Sequence, residues 1–264
     1  MDRRSFLTVL AAGMIGAAVG RSTVSPTGPS PELDGVRMAG RARQPIGVAA
    51  DSGPAGVVPV APPAGVVTAL PGPAATVALT IDDGTSTEVV GAFVDLVAQT
   101  GVRLTFFPNG CYRSWTELAP ALRPLVDAGQ VALGNHTWSH PDLAALGDRE
   151  VAGEITRADD FLRQTYGVAT PFLRPPFGSH TARVDAIAAD LGHPTIAMWE
   201  GSLGDDRVIT PAQLLGFAQQ WLRAEHIVIG HANHPAVTQV LTDLMALVQE
   251  RQLTTVTLAD VWAD

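Results

Sequence analysis

From residue 76 onward, short apolar runs alternate with longer segments whose apolar residues recur at helical spacing. The runs are apolar on both faces, which is typical of strands in a parallel sheet covered by helices. Seven strands are predicted, at 76–81, 102–107, 130–134, 171–174, 194–199, 226–230 and 253–258. Six helices are predicted between them, at 87–99, 115–128, 148–166, 182–191, 211–224 and 236–250. This alternation favours an α/β fold, either a βα barrel or a doubly wound sheet.

The N-terminus has a different pattern. Arg3 and Arg4 precede Ser-Phe-Leu and an apolar run that ends near Val19. The run is shorter than the roughly 18–20 apolar residues that span a bilayer. The pattern resembles a twin-arginine export signal at 1–20, with an ordinary export signal or a retained anchor as alternatives. We therefore expect a mature protein without a membrane span, extracellular or associated with the cell wall.

Residues 21–73 contain ten Pro and eight Gly and show no hydrophobic periodicity. Such a composition buries too little apolar surface to offset the conformational entropy of the chain. We predict a disordered linker at 21–73, which leaves 74–264 as the folded domain.

Charge and cysteine content exclude several classes of function. The 264 residues carry a net charge of −9, and residues 1–72 hold six Arg and four acids, so the remainder carries −11. A domain this acidic is a poor partner for nucleic acid. One cysteine excludes an internal disulfide and a zinc site built from several cysteines. We expect a monomer.

Polar side chains cluster where the predicted strands end, which is where a parallel barrel places its active site. A helix cap or a satisfied structural histidine would explain any one of these residues, but not groups at five strand ends. The first strand ends in Asp-Asp-Gly rather than a glycine fingerprint, which disfavours a dinucleotide fold. The residues concerned are Asp82, Asp83, His136, His140, Arg174, Trp199 and His231.

His136 and His140 are four residues apart, so both imidazoles can be directed at one point. Together with one carboxylate they form a His, His, Asp set that leaves positions open for water and substrate. Such ligands suit Zn²⁺, although Co²⁺ or another divalent ion would also fit. Adjacent Asp side chains diverge, so one can bind the metal while the other faces the water that the metal activates.

Four motifs in this order resemble those of the polysaccharide deacetylases, carbohydrate esterase family 4, also called the NodB homology domain. They are Thr-Ile-Asp-Asp-Gly at 80–84, His-Thr-Trp-Ser-His at 136–140, Arg-Pro-Pro-Phe-Gly at 174–178 and Ile-Gly-His at 229–231. The resemblance extends over residues 76–258. It implies an irregular (β/α)7 barrel.

The resemblance also implies a role for each residue. Asp83, His136 and His140 would hold the metal. Asp82 would be the general base, and Arg174 would hold it in position and keep it ionised. His231 would be the general acid that protonates the departing amine.

Further residues are implied in substrate binding. The backbone N–H of Phe177 would stabilise the oxyanion together with the metal. Ile229 would be an apolar wall of the acetyl pocket, although an ordinary core residue is the alternative, and Trp199 would lie beside the substrate. Asp205 would tune the acid histidine.

The sequence departs from the family pattern after the fifth strand. Asp206 occupies the place where the family commonly has a groove Trp, which puts stacking on a sugar in doubt. His234 competes with His231 for the role of acid. Trp138 is expected to pack beneath the metal-binding loop, with a place in the groove as the alternative. The remaining histidines, His180, His193 and His226, are expected at helix or strand boundaries.

We expect a metal-dependent hydrolase that removes N-acetyl groups from an amino sugar polymer, either peptidoglycan or a chitin-like chain. An O-acetyl esterase, or an amidase acting on a small non-sugar molecule, would use the same site. A non-catalytic wall-binding module is the alternative from another class. Binding alone would need none of Asp82, Arg174 and His231.

Overall fold

The computed structural model describes residues 53–72 and 74–263. The predicted export signal at 1–20 and the linker residues 21–52 and 73 lie outside this part of the chain. Within it, no helix is both long enough and apolar enough to cross a bilayer.

The described residues contain nine strands and eight α-helices. The strands are β1 (Gly65–Val67), β2 (Thr76–Asp83), β3 (Leu104–Pro108), β4 (Val131–Leu133), β5 (Phe172–Leu173), β6 (Thr195–Ala197), β7 (Gly201–Ser202), β8 (Ile227–His231) and β9 (Thr254–Thr255). The helices are α1 (Thr87–Thr100), α2 (Ser114–Glu117), α3 (Ala119–Asp127), α4 (Asp148–Tyr166), α5 (Ala182–Asp190), α6 (Pro211–Trp221), α7 (Leu241–Glu250) and α8 (Leu258–Val261).

All pairings between these strands are parallel. One sheet has the order β4-β3-β2-β8-β7, with β9 paired to the start of β2, and a second has the order β1-β6-β5. A parallel bridge between Asn135 and Leu173 connects the ends of β4 and β5. Within the described residues β6 and β7 do not pair, so the barrel is irregular. The α/β class predicted from the alternation is confirmed.

Strand β2 lies at the centre because all eight of its residues are buried, as expected for a strand covered on both faces. Val77, Leu79 and Ile81 belong to the hydrophobic cluster that the surrounding helices cover. Side chains alternate along a strand, so Ala78, Thr80 and Asp82 share the opposite face. That face leads from an apolar cluster containing Ala78 to the polar end of the strand.

Local signals fix the ends of the longer helices. The side chain of Ser86 accepts a hydrogen bond from the N–H of Val89 and caps α1. Helices α1 and α4 both end at a left-handed glycine, Gly101 and Gly167. Because these signals are local, the prediction for α4 matches its observed bounds and that for α1 differs by one residue.

The structure corrects the predicted boundary of the linker. Residues 53–72 include β1, which pairs with β6, and Val60, which bridges to Trp262. Leu70 is 5% exposed and packs in the core. The prediction of disorder was wrong for this segment, because its pairing partners lie more than a hundred residues away and leave no periodicity in the segment itself.

Two predicted helices are interrupted. The helix predicted at 115–128 is two helices that meet at Leu118, where Pro120 occupies the first turn of α3. The segment predicted at 236–250 begins as a 3-10 turn, Pro235–Gln239, before α7. Proline is readily accommodated in the first turn of a helix, where its missing N–H is not needed.

Candidate active site

The predicted site residues converge at the carboxyl ends of the central strands. Asp82 of β2 lies in register with His231 of β8 and with Phe107 of β3. The alternation of β2 would direct Asp83 away from Asp82, but Asp83 has a φ of 71°, which turns the chain at the strand end. Both carboxylates therefore face the same cavity, as the lining residues show.

Gly84 makes this turn possible. Its φ is 99°, and a Cβ atom at this position would lie 2.4 Å from the indole of Trp115. The same indole N–H donates to the carbonyl oxygen of Asp83 at 2.8 Å. The turn therefore requires glycine on both steric and conformational grounds.

Asp83, His136 and His140 form a candidate metal site, with one possible ligand atom from each residue within 4.8 Å of the others. Oδ1 of Asp83 lies 3.3 Å from Nε2 of His136 and 3.2 Å from Nε2 of His140. This oxygen is buried and has no hydrogen-bond partner among the described residues. A buried carboxylate oxygen without a donor is costly, and a cation between the three atoms would satisfy it. The three residues fit a divalent metal.

Hydrogen bonds to backbone carbonyl oxygens hold His136 in its orientation. Its Nδ1 lies 2.6 Å from the carbonyl oxygen of Arg174, and because a carbonyl can only accept, Nδ1 carries the proton. Nε2 is then the unprotonated nitrogen, as metal binding requires. The side chain of Asn109 also donates to the carbonyl oxygen of His136 at 2.5 Å.

The charges in this group shift one another's pKa values. Burial alone would raise the pKa of Asp83, but His136, His140 and His231 hold it well below its usual range. Burial acts in the opposite direction on His136 and lowers its pKa, yet Asp82 and Asp83 raise that pKa overall. Burial and the neighbouring His136 lower the pKa of His140.

Asp82 is held by Arg174, which is fully buried inside the barrel. Nη1 of Arg174 donates to Oδ1 of Asp82 and to Oγ1 of Thr80, both at 2.8 Å. The guanidinium stacks on Phe107, with Cζ 4.1 Å from the ring centroid. Oδ2 of Asp82 lies 3.7 Å from Nε2 of His136. Asp82 thus has one anchored oxygen and a second oxygen beside the candidate metal site.

His231 is paired with Asp205, whose side chain is buried. Nδ1 of His231 donates to Oδ1 of Asp205 at 3.0 Å, and the backbone N–H of His231 donates to Oδ2 at 3.1 Å. Burial opposes protonation, but the hydrogen bond that His231 donates to Asp205 and the charge of Asp82 raise the pKa of His231 to about 9. Below that pH the imidazole is a proton donor.

The site opens into a cavity of about 660 Å³. Phe177, Ile229 and Trp199 line it, as does Asp206 in the place of the groove Trp. Phe177 has a φ of 60°, its side chain is 71% exposed, and its ring lies 4.5 Å from that of His140, centroid to centroid. No described residue accepts a hydrogen bond from its backbone N–H.

The other aromatic and histidine candidates lie elsewhere. Trp138 does not line the cavity; its ring stacks on Arg157, with Cζ 4.5 Å from the centroid. His234 directly precedes the 3-10 turn Pro235–Gln239 without a side-chain capping hydrogen bond, and it is also absent from the cavity wall. Three further histidines lie near carboxylates, and the pairs are His180 with Asp185, His193 with Asp159, and His226 with Glu200.

Four residues of the cavity wall lie outside the predicted site residues and motifs: Thr85, Tyr112, Ser202 and Asn233. Asn233 donates from Nδ2 to Oδ2 of Asp83 at 2.6 Å. Tyr112 and Asn233 each follow the carboxyl end of a predicted strand by a few residues. That position was the available signal, but nothing in their residue types distinguishes them from ordinary loop residues.

Comparison with known proteins finds relatives in both sequence and structure. Residues 69–196 match the sequence profile of a family described as "Polysaccharide deacetylase". A peptidoglycan-N-acetylglucosamine deacetylase of Bacillus cereus is 36% identical over 104 residues, which cover 39% of this chain and 37% of that protein. The chain spans less than half the length of the curated relatives it matches.

Two solved structures share the fold. A chitin deacetylase from Colletotrichum lindemuthianum superimposes with a TM-score of 0.68 and 24% identity, covering 77% of this chain and 93% of that chain. A CE4 family pseudoenzyme from Bacillus anthracis has a TM-score of 0.66 and 22% identity, covering 75% of this chain and 68% of that chain. The predicted irregular (β/α)7 barrel is confirmed. The profile, the relatives and the motifs agree that residues 69–196 match the polysaccharide deacetylase family, as the resemblance predicted.

Proposed function

We propose that this protein removes N-acetyl groups from an amino sugar polymer, peptidoglycan or a chitin-like chain, with a divalent cation, preferably Zn²⁺, held by Asp83, His136 and His140. One observation carries the proposal. Oδ1 of Asp83 is buried without a partner between two imidazole nitrogens, beside an anchored carboxylate and an acid histidine. The family profile and the named relatives support the same chemistry.

A cation at this position would polarise the acetyl carbonyl and lower the pKa of water. Asp82 takes the proton from the attacking water through its unanchored oxygen, while Arg174 keeps the other oxygen in place. The backbone N–H of Phe177 supports the developing oxyanion, and Ile229 contacts the acetyl methyl.

His231 completes the reaction. The C–N bond breaks, and the departing nitrogen takes the proton from Nε2 of His231, while Nδ1 continues to donate its hydrogen bond to Asp205. The products are acetate and a free amine. Amines leave poorly unless they are protonated, so the raised pKa of His231 favours amide over ester substrates.

The fold alone does not establish catalysis, because one structure with the same fold is a pseudoenzyme. The site also contains a complete acid–base set, which argues against a wall-binding module because polymer binding requires none of its members. These residues are Asp82, Arg174, His231 and Asp205. We also propose that the protein acts outside the cytosol after export through the signal that includes Arg3 and Arg4.

The test is acetate release by the purified full chain from N-acetylated polymers, O-acetylated polymers and small amides. We expect release from N-acetylated sugar polymers, loss after chelation, and recovery with Zn²⁺ or Co²⁺. Asp83→Ala should remove metal and activity together. Polymer binding without acetate release, unchanged by chelation, would instead support the wall-binding module.

The same assay separates an amidase from an esterase. His231→Ala should slow amide cleavage by about 10²–10⁴-fold, because the leaving amine loses its acid, and slow ester cleavage far less. His234→Ala is the matched control on the same loop and should leave both rates unchanged. Equal losses on amide and ester would count against His231 as the acid.

A further inference from the structure

We propose that Asn233 is a positioning residue that fixes which oxygen of Asp83 is available to the cation. The inference rests on the proposed metal site. The two carboxylate oxygens of Asp83 differ in their contacts. Oδ2 accepts a hydrogen bond from Asn233 at 2.6 Å, and Oδ1 has no donor among the described residues.

The orientation of the Asn233 amide is determined by Thr85. The backbone N–H of Thr85 lies 3.2 Å from Oδ1 of Asn233, and the hydroxyl of Thr85 lies 2.8 Å from the same atom. The backbone N–H can only donate, so the atom it reaches is the oxygen of the amide. The NH₂ group therefore points at Asp83.

Backbone contacts hold Asn233 in this place. The N–H of Ala232 donates to the carbonyl oxygen of Asp82 at 2.9 Å, and the N–H of Ser86 donates to the carbonyl oxygen of Ala232 at 3.1 Å. These bonds connect the loop after β8 to the loop after β2. Asn233 and Thr85 thus connect the segment that carries His231 to the segment that carries Asp83.

The arrangement controls how Asp83 binds a metal. A carboxylate with two free oxygens can rotate and bind through one or both of them. A charge-assisted hydrogen bond to Oδ2 holds the carboxylate with Oδ1 directed at the two imidazoles. The amide of Asn233 is neutral, so it orients Asp83 without changing the charge of the site. Asp83 would then bind a metal through Oδ1 alone, which would leave other positions for water and substrate.

The experiment measures metal binding directly, without substrate. Zn²⁺ and Co²⁺ affinities of the metal-free full chain are determined for wild type, Asn233→Ala and Thr85→Val. Removing a partner that orients a metal ligand costs about 10–100-fold in affinity, which we expect for Asn233→Ala. Thr85→Val keeps the backbone donor to Asn233 and should show a smaller loss of the same sign. Thr238→Ala, which removes an exposed hydrogen bond to the carbonyl oxygen of Pro235 in the next turn, is the matched control and should match wild type.

The visible spectrum of bound Co²⁺ gives a readout that a merely structural role would not change. If the released Asp83 binds through both oxygens, the coordination number rises and the bands of Asn233→Ala weaken and shift. Wild-type affinity and spectrum in folded Asn233→Ala would overturn the proposal. If Asn233→Ala does not fold, an unchanged affinity in Thr85→Val would overturn it. Failure of the metal site itself is distinguishable, because Asp83→Ala would then leave affinity unchanged as well.

Discussion

Two buried Arg–Asp pairs lie at opposite ends of the barrel and are bonded differently. At the amino end, Arg103 donates to both oxygens of Asp260, from Nε at 2.7 Å and from Nη2 at 2.6 Å. Oδ2 of Asp260 also accepts from the backbone N–H of Thr257 at 2.7 Å. At the carboxyl end, Arg174 donates to only one oxygen of Asp82.

The difference separates a structural pair from a functional one. Both oxygens of Asp260 are occupied, so the pair holds α8 to the start of β3 and has no capacity left for chemistry. Asp82 keeps an oxygen beside the metal site and the cavity. In a buried Arg–Asp pair, a carboxylate oxygen without a hydrogen-bond donor therefore marks the pair that can take part in chemistry.

The largest effect is expected when the Arg174–Asp82 pair is changed, because one oxygen of Asp82 remains available for chemistry. Asp82→Asn should lower kcat/KM by about 10²–10⁴-fold, because an amide cannot take a proton from water. Steady-state acetate release measures this loss. Wild-type activity in this variant would remove Asp82 from the mechanism.

The same substitution in the Arg103–Asp260 pair should lower the free energy of unfolding. Asp260→Asn breaks a bidentate buried pair, and removing one partner of such a pair costs about 3–5 kcal/mol of unfolding free energy. Asp82→Asn should cost less, because Arg174 retains Thr80 and the carbonyl oxygen of Ala197 and the repulsion between Asp82 and Asp83 is relieved. Urea unfolding of both variants tests the order, and the folded fraction of Asp260→Asn should keep wild-type activity.

A smaller effect is expected at Asp205, the carboxylate that pairs with His231. The pKa of His231 is about 9 in the metal-free protein, above its usual value, so the imidazole is charged below that pH and loses its proton as pH rises through it. Asp205→Asn removes the carboxylate that stabilises this charge and should lower the pKa by about 1–3 units. NMR titration of the metal-free protein measures the shift, and the alkaline limit of activity should move to lower pH. An unmoved pKa would show that Asp205 does not tune the acid.

The sequence predicted the parts of the molecule that depend on local pattern. The run at 76–83 is largely apolar and ends in two carboxylates, so it predicted both the central strand and the position of the site residues at its end. Helix α4 has its own start and stop signals. The family motifs then assigned the three candidate metal ligands. Each of these features lies within a few consecutive residues.

The features that were missed depend on partners far away in the chain. Strand β1 exists because β6 pairs with it, and the Arg103–Asp260 pair joins residues 157 positions apart. Asn233 lies 150 residues from the carboxylate it contacts, and an asparagine in a loop after a strand has no distinguishing pattern. Such contacts follow from tertiary packing and not from periodicity.

The left-handed backbone at Asp83, Thr137, His140 and Phe177 has a consequence for engineering. Each such conformation in a residue other than glycine costs on the order of 1 kcal/mol or more. Asp83, His140 and Phe177 line the cavity, and Thr137 lies between the two histidines of the candidate metal site. A thermostabilised version made by relaxing these positions would gain melting temperature at the expense of turnover. Stabilising substitutions in this barrel should therefore be sought at its amino end, near the Arg103–Asp260 pair.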